Sequence, residues 1–378
     1  MPDPLNVVIA PDSLKGTVHA AEAAEAIAAG WREVRPDDRL ELRPQADGGE
    51  GTLAAIAAAV PGAERRDAGL VTGPDGSPLP ASWLLLPGGE AVVELAVSSG
   101  LPLMPLLDPL GATTRGVGEV IAAALDAGAE SIVLALGGTA STDGGTGALA
   151  ALGARFLDAH GGDLPDGGGA LVDLAHIVLD DLRPPPTRGV RLLTDVTSPL
   201  LGVEGAAAVF GPQKGAGPDD VRLLDAALAR LAMVAGGDSD AAGAGAAGGT
   251  AFGFATLWGA HIEPGAPSIA ALTRLDGALE TADVLVTGEG RFDDQSLRGK
   301  VVGHALELAG AAGIRTAVIA GRLDLAPPDW GGDLTQLAGS VEAAMAEPLR
   351  WLEEAGRRAA SELGVEAASA PPHPAPLD

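Results

Sequence analysis

Apolar residues in this chain fall into short, dense runs separated by loops of glycine, proline and carboxylates. The first run, residues 5–10, is rich in β-branched side chains and reads as a buried strand that stops at Pro11-Asp12-Ser13. Residues 17–34 are Ala/Glu-rich and helical, and they end before Pro36. A second strand is read at 40–43 and a second helix at 51–60, closed by Pro61-Gly62. Such a βαβα opening predicts a parallel sheet covered by helices.

The pattern changes over residues 67–97. The turn signals Gly73-Pro74-Asp75-Gly76 and Pro87-Gly88-Gly89 separate three short apolar stretches, which predicts a meander or hairpins. Beyond it the spacing predicts helices at 113–127 and 145–153, and strands at 131–136 and 191–194. It also predicts a helix at 218–235, with Pro218 in its first turn and Asp219 and Asp220 placed to favour the dipole. The βα rhythm then returns: strand 283–286, helix 295–309, strand 314–319 and a long helix 341–363. The expected organisation is therefore one discontinuous α/β domain, residues 1–65 and 281–366, with a second domain inserted at 66–280. The Ala/Pro-rich residues 367–378 are expected to be a disordered tail.

Composition narrows the function. A chain of 378 residues suits two domains and buries a core without staples. It has no cysteine, which removes disulfides, thiolate metal sites and cysteine nucleophiles, and fits a reducing cytoplasm. A net charge of −27 argues against nucleic acid or an anionic membrane as partner. No signal peptide is read at the start, and no apolar stretch is long enough to predict a membrane span. Aromatic residues make up 3% of the chain and tyrosine is absent, so base-stacking platforms are not expected.

Lysine is scarce and placed unusually. The chain has three, Lys15, Lys214 and Lys300, and each stands next to a glycine. Lysine is a compact point charge suited to a phosphate oxygen, and glycine lets backbone N–H groups approach the same anion. Chance in a chain with 55 glycines is the competing explanation.

Five expected strands run into loops holding glycine, a carboxylate and often a hydroxyl. These are Asp12-Ser13-Leu14-Lys15-Gly16, Asp47-Gly48-Gly49-Glu50-Gly51-Thr52, the 137–145 loop, the Asp195–Gly202 loop and Thr287-Gly288-Glu289-Gly290-Arg291-Phe292-Asp293-Asp294. Ligands of open α/β sheets bind beyond the carboxyl ends of strands, where helix N-termini offer free N–H groups to anions. A shared site is expected there. Other signatures are missing: there is no P-loop, no metal-ligand spacing among the six histidines, and no nucleophile elbow around Ser141 or Ser198. The single literal G-x-G-x-x-G, residues 243–248, follows a helix and a loop instead of a strand, so no nicotinamide cofactor is expected from it.

Taken in order, the loops resemble the type I bacterial glycerate kinases. The resemblance runs through residues 9–16, 46–52, the 137–145 loop, 195–202, Phe210-Gly211-Pro212-Gln213-Lys214-Gly215-Ala216, 243–249 and 287–291, and covers about residues 5–365. It implies phosphoryl transfer from ATP to D-glycerate with Mg²⁺, in a cleft between a Rossmann-like domain and an inserted α/β domain. A homodimer is compatible with it. The chain departs from the family pattern at Thr139-Ala140-Ser141-Thr142-Asp143, where Ser-Ala-Thr-Asn-Asp is frequent. It departs again at Thr197 and Ser198, where a second acid and an amide often stand, and after Lys300, where a proline is common.

On that reading Lys15 and Lys214 neutralise phosphate or carboxylate oxygens, and Gly48, Gly49 and Gly51 present N–H groups. Asp47, Asp195 and Asp293 are candidates for Mg²⁺ and for the base, with Asp195 preferred as base because its loop has no competing acid. Asp195 and Asp293 are the expected metal ligands. Ser13, Glu50, Thr139, Ser141, Asp143, Gly288, Glu289, Arg291 and Lys300 complete the expected substrate and phosphate contacts, although Asp143 and Glu289 could instead order their loops. The product is expected to be 2-phosphoglycerate. The alternatives are a 3-phosphoglycerate-forming kinase, a non-catalytic sugar-acid-binding protein and an NAD-dependent hydroxy-acid reductase.

Overall fold

The computed structural model describes residues 3–14 and 16–367; Lys15 and the tail beyond Ala367 lie outside the described residues. These fall into two compact units. One is drawn from Met1–Ala46, Ala54–Ala59 and Ile269–Asp378, the other from Asp47–Leu53 and Val60–Ser268.

The discontinuous unit is built on five parallel strands, in the order Trp330–Asp333, Arg315–Leu323, Val284–Phe292, Asn6–Ile9, Arg39–Leu42. Strand Asn6–Ile9 is buried on both faces, as its unbroken apolar run requires. Val7 and Ile9 pack with helices Ala20–Val34 and Pro348–Ala367. Val8 and Ala10 pack on the other face with Leu275, Leu279, Ala305 and Ala309. The two helices on the first face touch backbone to backbone. A Cβ at Gly30 would overlap the Glu353 carbonyl, and one at Gly356 would overlap that of Ile27. The strand order reverses between Asn6–Ile9 and Val284–Phe292, and such a switch point opens a crevice at the strand ends.

The insert carries a six-stranded sheet ordered His261–Glu263, Val190–Leu193, Ser131–Ala135, Glu90–Glu94, Pro78–Leu85, Glu64–Thr72. The first four strands are parallel, and the last two are added antiparallel by the expected meander. Helices Arg115–Asp126, Pro218–Ala235 and Thr250–Trp258 close the core through Val117, Ile121, Leu228 and Phe254.

Several elements differ from the sequence expectation. The long helix at 341–363 is two helices, Val341–Ala346 and Pro348–Ala367. Pro348 has no N–H to continue the previous helix and starts the last one instead. Strand Val284–Phe292 runs through the expected 287–294 loop, and the helix expected at 295 starts at Val301. Residues 269–280 belong to the first unit and Val60 onward to the insert. The segment Asp47–Leu53 also goes with the insert, because the Gly48 carbonyl accepts the Gly137 N–H at 2.9 Å.

Candidate active site

In the insert, the segment Asp47–Leu53 lies across the carboxyl ends of all four parallel strands. It is held at each. Beyond Glu90–Glu94, the Glu94 carboxylate accepts the Gly51 N–H at 2.9 Å and the Leu53 N–H at 2.8 Å. Beyond Ser131–Ala135, Gly137 donates to the Gly48 carbonyl, and a Cβ on Gly137 would overlap the Gly49 Cα. At the end of Val190–Leu193, a Cβ on Gly48 would stand 3.0 Å from the Leu193 carbonyl oxygen. Beyond His261–Glu263, a Cβ on Gly265 would overlap the Asp47 carbonyl oxygen. Glycine is required here by close approach of backbones.

The backbone of Asp47 and the carboxylate of Asp195 both reach Gly265. The Asp195 carboxylate accepts the Gly265 N–H at 2.8 Å and the Ala266 N–H at 3.4 Å, at the start of helix Gly265–Leu272. A Cβ on Gly265 would also stand 3.2 Å from Asp195 Oδ1, so this one position touches both acid-bearing loops. Asp47 accepts the Gly49 N–H at 2.9 Å, which folds the glycine turn back on its own carboxylate. Asp47, Gly49, Gly51 and Asp195 are half-buried, Gly48 is buried and Glu50 is exposed. A helix N-terminus with carboxylates and compact glycine turns at strand ends is suited to placing an anionic group and accepting a proton beside it.

The 137–145 loop lies next to this group and is fastened internally. Thr139 Oγ1 and Ser141 Oγ are 3.1 Å apart, and Thr139 pairs with Gly100 in an isolated bridge. Asp143 is fully buried. Its carboxylate accepts from the Thr114 N–H at 2.9 Å and hydroxyl at 2.8 Å, and from the Gly145 and Gly147 N–H groups at 3.1 and 3.3 Å. Burial pushes its carboxyl up, and those four donors oppose the shift. Asp143 therefore ties the loop to the starts of two helices instead of presenting oxygens outward. Ser141 is buried completely and Thr139 is 7% exposed. Lys214, expected to neutralise phosphate or carboxylate oxygens, is buried as well, with its Nζ donating to the Ser141 carbonyl.

The 243–248 glycine run serves packing. Cβ atoms on Gly245 and Gly248 would overlap the Pro199 and Ser141 carbonyls, so its close approaches are to this chain's own backbone.

The other unit contains the remaining expected residues. At its switch point Asp12 donates its N–H to the Gly288 carbonyl at 2.8 Å, and the Thr287 hydroxyl donates to Ala10 at 2.8 Å. Ser13 N–H is turned onto the Asp12 carboxylate at 2.7 Å. Gly288, Glu289 and Arg291 sit in a strand, paired with Ile319, Ala320 and Arg322, and not in a loop as expected. Gly288 is needed because a Cβ would overlap the Ile319 carbonyl. Arg291 is exposed and bound to Asp324. Asp293 accepts the Gln295 N–H at 2.9 Å, and Lys300, exposed, precedes helix Val301–Ala312. Among the described residues no group of three or more His, Cys, Asp or Glu is placed to hold a metal. A cavity of about 240 Å³ lies elsewhere in the insert, beside Arg115, Arg155 and Phe156. It is not lined by these loops, and its two guanidiniums are already paired with Asp166 and Asp163.

Glu94, Gly265 and Asp12 were not among the expected site residues. Glu94 had the same signal as the others, a carboxylate ending an apolar run, but no glycine beside it. It is 5% exposed; burial pushes its carboxyl up and the two N–H bonds oppose this. Glu94→Gln turns an amide toward two buried N–H groups. It is expected to cost about 1–3 kcal/mol in urea unfolding, since buried donors left unpaired cost that much. An unchanged midpoint would show that the carboxylate is not what holds the segment.

Comparison with known proteins places these loops in context. The model of the glycerate kinase family matches residues 7–363. Glycerate 2-kinase of Escherichia coli (strain K12) is 42% identical over 306 residues, 79% of this chain and 80% of its own length. Glycerate kinase of Bacillus subtilis (strain 168) is 43% identical over 306 residues, covering 78% and 79%. A crystal structure described as a glycerate kinase 2 from Salmonella typhimurium LT2 matches with a TM-score of 0.82 at 36% identity, covering 96% of this chain and 99% of that one. Among the described residues, no helix is long and apolar enough to cross a membrane.

Proposed function

This chain is an enzyme of the glycerate kinase family, and on that footing we propose that it transfers the γ-phosphoryl group of ATP to the 2-hydroxyl of D-glycerate. The observation that carries the reading is the placing of the Asp195 carboxylate on the helix N-terminus at Gly265, against the backbone of Asp47 and beyond parallel strands. Choice of the 2-hydroxyl follows the Escherichia coli relative, whose name specifies it.

Phosphoryl transfer needs alignment and charge neutralisation more than covalent chemistry. Asp195 is held by two N–H groups of one helix end and takes the proton of the attacking hydroxyl. The Gly49 and Gly51 N–H groups are taken by Asp47 and Glu94, so the turn 48–51 shapes the surface at the strand ends against which the substrate lies. Lys15 and Ser13 neutralise and orient an anionic group of a substrate. Asp195 in the insert and Asp293 in the other unit are separate candidates, each a hard oxygen donor of the type Mg²⁺ prefers, and one carboxylate with substrate phosphates suffices to hold it. Bound there, Mg²⁺ would screen charge on the transferred group. The reading also takes the enzyme to be cytoplasmic.

The test is direct. Purified protein with D-glycerate, ATP and Mg²⁺ is expected to yield ADP and a phosphoglycerate whose phosphorus NMR signal identifies the 2-ester. Formation of the 3-ester would move the assignment to the other hydroxyl. No ADP above background, or equal rates with unrelated polyols, would sink the kinase reading.

A further inference from the structure

Lys214, expected to neutralise phosphate or carboxylate oxygens, is buried. It closes the turn Pro212–Lys214, is 2% exposed, and is followed by Gly215 with φ 92°. Its Nζ donates to the Ser141 carbonyl and, at 3.3 Å, to Thr142 Oγ1. The Ser141 carbonyl also lies against Gly248, where a Cβ would overlap it. One residue beyond Thr142, Asp143 binds the N–H groups of Gly145 and Gly147. The 137–145 loop is thus fastened by a buried cation at 141–142 and a buried anion at 143.

We propose that Lys214 is a positioning residue whose ammonium clamps the backbone at Ser141–Thr142, so that the loop keeps the shape in which Gly137 holds the glycine turn 48–51, and that Lys214 itself touches no substrate. The inference rests on the kinase reading for its kinetics but not for its geometry. A charged donor on a carbonyl is about twice as strong as a neutral one. Burial pushes the Lys214 ammonium down to about 7, and the Asp143 carboxylate opposes this. Asp143 is the charged group that acts on it. The segments packed nearby, helix Ala206–Phe210 and the 243–249 run, contain no charged residue. The clamp therefore weakens when the proton leaves, near pH 7.

The chain's three lysines make the test clean. Lysine labelled with carbon-13 at Cε gives three signals, and Lys214→Met identifies one of them. That signal is expected to titrate with a midpoint near 7 in the free enzyme. Saturation with D-glycerate, or with a non-hydrolysable ATP analogue and Mg²⁺, is expected to raise it by about one unit, as linkage requires when loss of the proton weakens binding about tenfold. A bond from Nζ to a substrate oxygen would instead raise the midpoint by several units, toward the ordinary lysine value of about 10.4, and would overturn the proposal. Lys214→Met is expected to lower kcat/KM about tenfold, mostly through KM, as for a loss of binding geometry. The wild-type fall in kcat/KM above pH 7 should be absent from Lys214→Met and from the permanently charged Lys214→Arg. A hundredfold fall in kcat at constant KM would make Lys214 a transition-state group, and wild-type kinetics for Lys214→Met would make the clamp idle. If wild type gives no turnover, the kinase reading fails, and the titration alone decides the clamp.

Discussion

Asp195→Asn is expected to lower kcat by about 10²-fold or more, with the melting temperature nearly unchanged. The two effects separate because the side chain has two jobs. Its Oδ1 accepts the Gly265 and Ala266 N–H groups, and an asparagine oxygen in the same place still can. What the amide cannot do is take a proton from a substrate hydroxyl or carry negative charge. Activity should therefore fall while the junction between strand Val190–Leu193 and helix Gly265–Leu272 survives. If Asp195 serves as a metal ligand instead, the Mg²⁺ requirement should rise and excess Mg²⁺ should restore part of the rate. A lower melting temperature with unchanged kcat per folded molecule would reduce Asp195 to a structural cap, and would shift the base to Asp47 or Asp293.

Gly265→Ala is expected to lower kcat/KM by about 10²-fold, the loss typical of a misplacement near 1 Å, and to destabilise the fold by about 1–3 kcal/mol, as overpacking does. Helix propensity points the other way, since alanine gains about 1 kcal/mol over glycine inside a helix. Sterics should win. The added Cβ overlaps the Asp47 carbonyl, which is backbone and cannot rotate aside, and it also presses on Asp195. Both acids would be displaced together. Gly310→Ala is the control: it lies in helix Val301–Ala312 with nothing within 4 Å of its Cβ, so stability should rise slightly at constant activity. Equal behaviour of the two variants in steady-state kinetics would mean the junction at Gly265 is not a constraint on catalysis.

Much of the fold was legible because parallel strands are buried on both faces and leave continuous apolar runs, as at Val7–Ile9 and 284–286. The strands that escaped were those without such a run. Trp330–Asp333 is Trp-Gly-Gly-Asp, and His261–Glu263 has three residues. The 287–294 stretch misled because glycine next to a carboxylate signals a loop in sequence. A neighbouring strand's carbonyl can require the same glycine, as Ile319 does of Gly288. Within the insert, the convergence of Asp47, Gly137 and Asp195 was expected from the pattern of strand ends. Gly265, which Asp47 and Asp195 share, was not, because only a contact distance distinguishes it from the chain's other glycines. The depth of Lys214 was equally hidden, since a motif gives a residue's neighbours in the chain and not the side from which it reaches them.

The Asn6–Ile9 strand has a consequence for how the molecule is made. One of its edges pairs with Arg39–Leu42, but the other pairs with Val284–Phe292, and the helix Pro348–Ala367 that covers it comes last. At the usual 5–20 residues per second, about 15–60 s pass on the ribosome before that second edge has a partner. The insert's own sheet is complete once His261–Glu263 has emerged, so it can fold while the first strand and helix wait. During that interval an apolar edge is open to other nascent chains. A charge of −27 on the finished sequence, spread through the segments already made, is the chain's defence against pairing with its neighbours.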